Sequence, residues 1–492
     1  MVEAAENQEG SLEEAAIARF GPLRGAERRL LRALPKGEPA YCGPDEKDDV
    51  AASENDPEHA DEWGEEREVR VALFRWLCID PAARALVSAE GIRLSGVRFD
   101  DRLTLSFMTL PFPLRAAACY FPNGLALEGM TLPALTLTRC WIGPLKPPAA
   151  AEPAVQASYL HVQGSLSLAS TRIVGEVRLF GAEVGRTFSC EGASLKNAGA
   201  RALQCELAKI GGAVHLRNSF ISEGEVRLFG AVVAGSLVCD QASFKNTGAL
   251  ALHAEGAKIG GAVLLRNGFA ADGEIRLFGA VVGANLECDH ASFTNPGAFA
   301  LNAVGVKISG SVYLRSGFSA VGEVCLVRGE VSGNLDLSGA SLENVDGIAL
   351  RCEGVRIGGS VLLRNDFTSE GEVQLFGAVV SGNLECDRGS FKNAGALALN
   401  VEGAKIGATV LLRNGFTADG EVRLYGAVVG ANLECDRASF KNTGERALNC
   451  ETTKIGGFLS LRRGSVAEGQ VRLLGAQIGH LVAIGRCGPC CG

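Results

Sequence analysis

Sixteen cysteines run through this 492-residue chain, and thiols are the first side chains to examine for chemistry. The last stretch reads Arg486-Cys487-Gly-Pro-Cys490-Cys491-Gly492. Two thiols separated by two residues suit dithiol–disulfide exchange, so Cys487 and Cys490 are the candidate catalytic pair. Such a thiol is normally activated by a helix N-terminus, and none follows Cys490, so a tail, tether or weak metal clip is the competing expectation. Charged residues form regular series as well. Arg217, Arg266, Arg315, Arg364, Arg413 and Arg462 would by themselves look like a phosphate-binding stripe. Lys209, Lys258, Lys307, Arg356, Lys405 and Lys454 form a second basic series. The six histidines (His59, His161, His215, His253, His290, His480) have no metal-ligand spacing, and no P-loop occurs, so neither metal nor cofactor is expected.

These series share one interval. Gly-[Glu/Gln]-[Val/Ile] begins at Gly175, Gly224, Gly273, Gly322, Gly371, Gly420 and Gly469, always 49 residues apart. Each unit splits into two halves of one design. Ala257-Lys-Ile-Gly-Gly-Ala-Val-Leu-Leu-Arg266 opens a half of 23 residues and Ala280-Val-Val-Gly-Ala-Asn-Leu-Glu-Cys-Asp289 one of 26. Apolar and polar residues alternate with period two, the mark of a half-buried strand. The apolar positions form columns when the halves are stacked: Ile275, Leu301, Val324, Leu350, Val373, Leu399, Val422, Leu448, Val471. Continuous columns require coil upon coil in register, which a propeller does not provide. The expectation is a mainly β fold, a right-handed parallel β-helix solenoid with coils of 23 and 26 residues and a small α-helical N-terminal cap. At ~4.8 Å per coil, roughly 16 coils would span about 75 Å.

The register reassigns most of the chemistry. Cys190, Cys239, Cys288, Cys386 and Cys435 share a column with Leu337 and Ile484, which makes it an apolar core position. Cys205, Cys352 and Cys450 share theirs with Ala254, Ala303 and Val401. Only Cys190–Cys205 and Cys435–Cys450 could meet across the lumen. The arginine stripe is matched on the intervening coils by Glu191, Asp240, Asp289, Ser338, Asp387 and Asp436, an alternating ion-pair ladder that opposes register slips. Asn197, Asn246, Asn295, Asn344, Asn393 and Asn442 suit turns. The second basic series has neutral neighbours such as Val233 and Val282, and is the candidate binding surface. The unit from Gly322 to Glu370 departs from its neighbours at Cys325, Val327, Arg328, Glu330 and Asp346.

Ahead of the coils, residues 1–42 read as a helical N-terminal segment, with Ser11 and Glu14 as a capping box. Residues 43–62 read as an acidic linker, 63–90 as a helical cap with a run from Trp63 to Cys78 and a helix opening at Asp80-Pro81, 91–486 as the β-helix and 487–492 as a cysteine-rich tail. Pro144–Pro153 reads as a projecting loop. Twelve acids face Lys47 and Arg67 between Gly43 and Glu68; that −10 exceeds the net −8, so the rest of the chain stands near +2. A near-neutral repeat body argues against nucleic acid as a partner. No apolar stretch reaches 18 residues and Met1–Gly10 has no secretory pattern, so a cytoplasmic location is expected.

Gly-Ala-Val-Val-Gly-Ala-Asn-Leu (279–286) and Ala-Ser-Phe-Lys-Asn (242–246) resemble loosened pentapeptide repeats. Over about residues 90–485 the chain is similar to bacterial pentapeptide-repeat-like β-helical proteins, although strict members use about 20 residues per coil. The helical front end resembles that of uncharacterised bacterial proteins, some carrying the label membrane-associated oxidoreductase. The expected function is a non-catalytic scaffold that binds protein, with an unknown protein partner and a homodimer or end-to-end assembly through the C-terminal coil. Three alternatives stand beside it: a thiol redox protein using the terminal cysteines, a polysaccharide-active β-helix enzyme, and the topoisomerase-binding DNA mimic that the resemblance implies.

Overall fold

The computed structural model describes residues 12–43, 53–145 and 152–483. The chain divides into two compact units, residues 1–235 with 243–245 and residues 236–242 with 246–492. Both are parallel β-solenoid, about 17 turns in all, and among the described residues the helices lie in the N-terminal region. Among the described residues no helix is long and apolar enough to cross a membrane.

The first unit shows how a coil end is closed. Residues 12–20 form helix α1, Gly25–Ala33 helix α2, Val71–Ile79 helix α3 and Pro81–Ala85 helix α4. Leu73 and Leu77 of α3 are fully buried, and Phe74 meets Phe99 of the first coil edge-on at 5.4 Å. Phe99 in turn stacks on Phe121 of the next coil at 4.9 Å. The first coil's strand edges are covered as well. Ala40–Tyr41 pairs with Leu94–Ser95, and Glu68–Val69 with Arg98–Phe99. Unpaired edges recruit other chains, so this closure removes a hazard that every solenoid end carries. The pairing of Glu68–Val69 also shortens the helix expected from Trp63; α3 starts only at Val71. Asp80 caps α4 by accepting from the amides of Ala82 and Ala83 at 3.0 Å each.

A buried carboxylate fixes α2 to this cap. Glu27 has no exposed surface and accepts from the Arg70 guanidinium through both oxygens at 2.7 Å, and from the amides of Arg24 and Arg70. Burial alone would raise its pKa, but the Arg70 and amide hydrogen bonds outweigh that and hold it below the usual carboxylate value. Residues 53–62 correct the reading of 43–62 as a linker. Ser53–Asn55 and Pro57–Glu62 form 3-10 turns held against the coils. Arg172 reaches Asp56 at 3.1 Å and Glu58 at 3.0 Å, and Ala60 and Trp63 pack with Tyr120. Arg67 is buried, stacks over Trp63 at 3.7 Å and donates to the carbonyls of Gly96 and Glu54 and to Asn55 Oδ1. Acidic residues are ordered here because guanidinium groups are placed to receive them.

In the second unit the coils from Lys258 to Asn449 each have two two-residue strands and one longer strand. Lys258–Ile259, Val263–Leu264 and Ala270–Arg276 make one coil; Val281–Val282, Leu286–Glu287 and Ser292–Asn302 make the next. The apolar columns of the sequence are the observed register: Ile275 pairs with Leu301, Leu301 with Val324, Val324 with Leu350 and Leu448 with Val471. Buried phenylalanines pack alongside, Phe269 edge-on to Phe293 at 5.9 Å and Phe391 tilted against Phe416 at 5.3 Å. The two coil lengths acquire a cause. While one strand steps from Asp272 to Ile275, its neighbour steps from Thr294 to Leu301, and the surplus leaves the wall as a bulge loop. The shorter coil recovers one residue at the Asn267–Gly268 turn, since Leu264 to Ala270 spans six steps against five from Glu287 to Ser292. Four residues gained less one gives the three that separate 26 from 23.

The repeating glycine faces the neck of that bulge. Gly273, Gly322, Gly371, Gly420 and Gly469 have φ between +112° and +137°. A Cβ on any of them would lie 2.4–2.5 Å from the carbonyl oxygen of the asparagine that opens the neighbouring loop. Both conditions exclude a side chain. We predict that Gly273→Ala loosens the coils around it more than Gly297→Ala, which has φ +73° and open space around its Cβ position. The open site should lose roughly 1–2 kcal/mol, the usual cost of left-handed backbone, and Gly273→Ala at least about twice that. Hydrogen exchange of amides in residues 258–325 measures this; equal protection in both variants contradicts it.

Candidate functional site

The thiols come first. Thirteen cysteines from Cys42 to Cys450 lie among the described residues, and all are free and buried. Cys190, Cys239, Cys288, Cys386 and Cys435 face the interior, as does Leu337 of their column. Burial drives each of these thiols well above the ordinary cysteine value, which makes them poor nucleophiles. Ile484, Cys487 and Cys490 lie outside the described residues.

The arginine stripe is a ladder, and a fuller one than the sequence register implied. Arg266 bonds Asp240 at 3.1 Å on one side and Glu287 at 2.5 Å on the other. Arg315 lies between Asp289 at 3.2 Å and Asp336 at 3.4 Å, and Arg413 between Asp387 at 3.2 Å and Glu434 at 2.5 Å. Arg217, in the first unit, bonds Glu191 at 2.7 Å. The second acid column (Glu287, Asp336, Glu385, Glu434) was missed in the sequence, although it stands two residues before the first and so shares its face. It explains Arg364: opposite Ser338 it has no acid, and it pairs with Glu385 instead. Arg462 meets Asp436 through its backbone amide while its guanidinium bonds Ser460. Cross-strand pairs of this kind contribute a few tenths of a kcal/mol each, so they act on register more than on stability.

Two more recurrent polar sets are internal to the fold. The Nδ2 of each of Asn197, Asn246, Asn295, Asn344, Asn393 and Asn442 donates to the carbonyl four residues on, at 2.7–2.9 Å, and closes the bulge loop. The glutamate of the Gly-Glu-Val motif is likewise engaged. Glu274 accepts from Arg276 at 2.7 Å and from Asn302 at 3.0 Å; Glu421 from Arg423 at 2.9 Å and Asn449 at 3.2 Å. Burial opposes ionisation of Glu421, but the Arg423 and Asn449 hydrogen bonds prevail and lower its pKa. In the irregular unit Cys325 takes the place of that arginine. Glu323 keeps Arg351 at 2.9 Å, yet burial wins and its pKa rises. Elsewhere in the same unit Arg328 and Asp346 adopt left-handed φ of +53° and +61°. These substitutions change local pairing without gathering a catalytic set.

The second basic series lies on a different wall. Its observed neighbours are not Val233 and Val282, which are buried, but the preceding residues Val232 and Val281, because successive strand residues face opposite sides. Nor are all its neighbours neutral: Lys209 bonds Glu183 at 2.8 Å and Lys307 bonds Glu330 at 3.4 Å. In the second unit the outward column reads Lys258, Val281, Lys307, Glu330, Arg356, Val379, Lys405, Val428, Lys454, one residue per coil. The five bases are exposed, and Val281 and Val428 retain 40% and 39% of their surface. Phe278, Phe376 and Tyr425, three residues before valines of the column, are 45%, 42% and 43% exposed. Exposed valines and aromatic side chains thus lie between the bases of this wall.

An open cleft of about 580 Å³ in the first unit is lined by Arg29, Cys42, Glu54, His59, Trp63 and Arg67. Among the described residues no three His, Cys, Asp or Glu side chains come together as metal ligands. Fold and surface together define a parallel β-solenoid repeat protein with one cationic, partly apolar wall. Comparison with protein-family models, with curated protein sequences and with solved structures finds no match to this chain in any of the three.

Proposed function

We propose that the chain is a non-catalytic scaffold that holds a protein partner against the wall of Lys258, Lys307, Arg356, Lys405 and Lys454. The observation that carries this reading is the contrast between walls. Arg266, Arg315 and Arg413 of the ladder each lie between two carboxylates of their own chain, whereas the lysine wall has Glu330 as its one acidic column member in the second unit. Exposed valines and aromatic rings between the charges supply the apolar contact that a purely ionic surface lacks. The complementary partner presents acidic residues interleaved with apolar ones. Charge reversal tests this: Lys258→Glu, Lys405→Glu and Lys454→Glu together should abolish a partner that chemically cross-links to these lysines in the native chain, with the far-ultraviolet dichroism unchanged. Retention of the partner by the reversed variant, or cross-links confined to another wall, contradicts it.

A second observation favours self-association through the other end of the coils. Among the described residues the last strands, Val466–Arg472 and Gln477–Ala483, pair with Ser439–Asn449 and Lys454–Leu461 and with no later strand. Val466, Leu474 and Leu481 are 51%, 75% and 56% exposed. We propose a second copy as the occupant, because a two-fold contact sets each edge strand antiparallel to its own equivalent. Light scattering should give a dimer or larger species for the native chain and a monomer for Leu481→Asp. A native monomer at high concentration rules this assembly out.

A further inference from the structure

Cys119 and Cys140 stand apart from the other core cysteines. They occupy successive coils at one corner of the first unit. Tyr120 pairs with Trp141, and the Trp141 amide donates to the Cys119 carbonyl at 2.9 Å. Residues so placed on adjacent parallel strands have Cα atoms about 4.8 Å apart, inside the roughly 4.4–6.8 Å that a disulfide spans. Both side chains point inward, at 0% and 1% exposure, and each thiol shifts the proton affinity of the other. The remaining contacts fix them in place: Cys119 Sγ lies 3.2 Å from the Ala117 carbonyl oxygen, and Cys140 Sγ lies 3.5 Å from those of Ala116 and Thr138. Within the column of Cys239 and Cys288 the cysteines are kept apart by an aliphatic residue of the intervening coil, Leu265.

The two thiols are also unequal. Burial would raise both, but the hydrogen bond from Cys140 and the backbone bonds around Val97 hold Cys119 below the ordinary value. For Cys140, burial and the neighbouring Cys119 act in the same direction and raise it well above. Cys119 gives up its proton more readily than Cys140, so Cys119 attacks first and Cys140 resolves it.

We infer that Cys119 and Cys140 form a redox-active dithiol that a hydroperoxide closes to a disulfide, stapling successive coils beside the N-terminal cap. In the first step the Cys119 thiolate attacks the terminal oxygen of the hydroperoxide. An S–O bond forms, the O–O bond breaks, and the departing alkoxide takes a proton to become the alcohol, or water from hydrogen peroxide. In the second step the Cys140 sulfur attacks the Cys119 sulfenic sulfur. The S–S bond forms, the S–O bond breaks, and hydroxide leaves with the Cys140 proton as water. Two thiols lose two electrons and the peroxide gains them.

The folded full-length chain, treated with hydrogen peroxide, then denatured, alkylated and digested, should yield one peptide pair joined through Cys119 and Cys140 and separable by reduction. In Cys140→Ser the resolving thiol is gone, so Cys119 should be trapped by dimedone as a sulfenic acid that the native chain does not accumulate. Recovery of both cysteines as alkylated thiols after peroxide overturns the inference. So does a cross-link that joins either cysteine to a different partner. The native-chain digest stands without any variant, so a poorly folded Cys140→Ser leaves the question decided.

Discussion

Everything in the repeat region depends on parallel hydrogen bonding from each coil to the next in fixed register. A coil that follows its predecessor by one strand spacing places every residue over its counterpart, so a side chain's neighbours are set by the period of the sequence. The glycine of Gly-Glu-Val protects that register at its weakest point, where one strand carries a bulge loop and its neighbour does not. With φ near +120° and a carbonyl oxygen 2.5 Å from where its Cβ would lie, Gly273 lets the walls close again after the loop. The asparagine at the loop's mouth does the complementary work from the other side.

Register also decides which repeated residues are available for chemistry. Cysteines stacked inside become filler with thiols too basic to react, and arginines stacked beside two acid columns become the rungs of a ladder. The lysine wall escapes because valines, and not carboxylates, occupy most of the intervening coils. Cys119 and Cys140 escape for the opposite reason. In the earlier coils the long period is not yet established, and two cysteines fall on adjacent coils, whereas the later columns keep theirs at least two coils apart.

The fold was largely legible in the sequence, since Ile275, Leu301 and Val324 align by counting and are paired in the structure as counted. The placement of the extra residues was not, because 23 and 26 are net lengths that conceal a gain at one turn and a loss at another. Side-chain reach was the second limit. Asn-Leu-Glu-Cys-Asp offers two outward acids, and alignment by column found the Asp while only geometry shows the Arg266 guanidinium bridging both Asp240 and Glu287. Period two also sets the lysine neighbours: Val281 faces outward beside Lys258, and Val282 turns into the core. The ordering of residues 53–62 rests on Arg67 and Arg172, and the second of these is more than a hundred positions away, beyond any local pattern.

Both the lysine wall and the arginine ladder depend on the outward register of the strands, and engineered cross-linking measures it directly. Val281→Cys combined with Lys307→Cys places two thiols on adjacent strands, on the same face and about 4.8 Å apart between Cα atoms. Mild oxidation should join them in high yield. Val282→Cys combined with Lys307→Cys puts the thiols on opposite faces of the wall and should give no bridge. Bridging of the second pair in preference to the first would show that the strands are offset by one residue and would remove the basis for both the wall and the ladder.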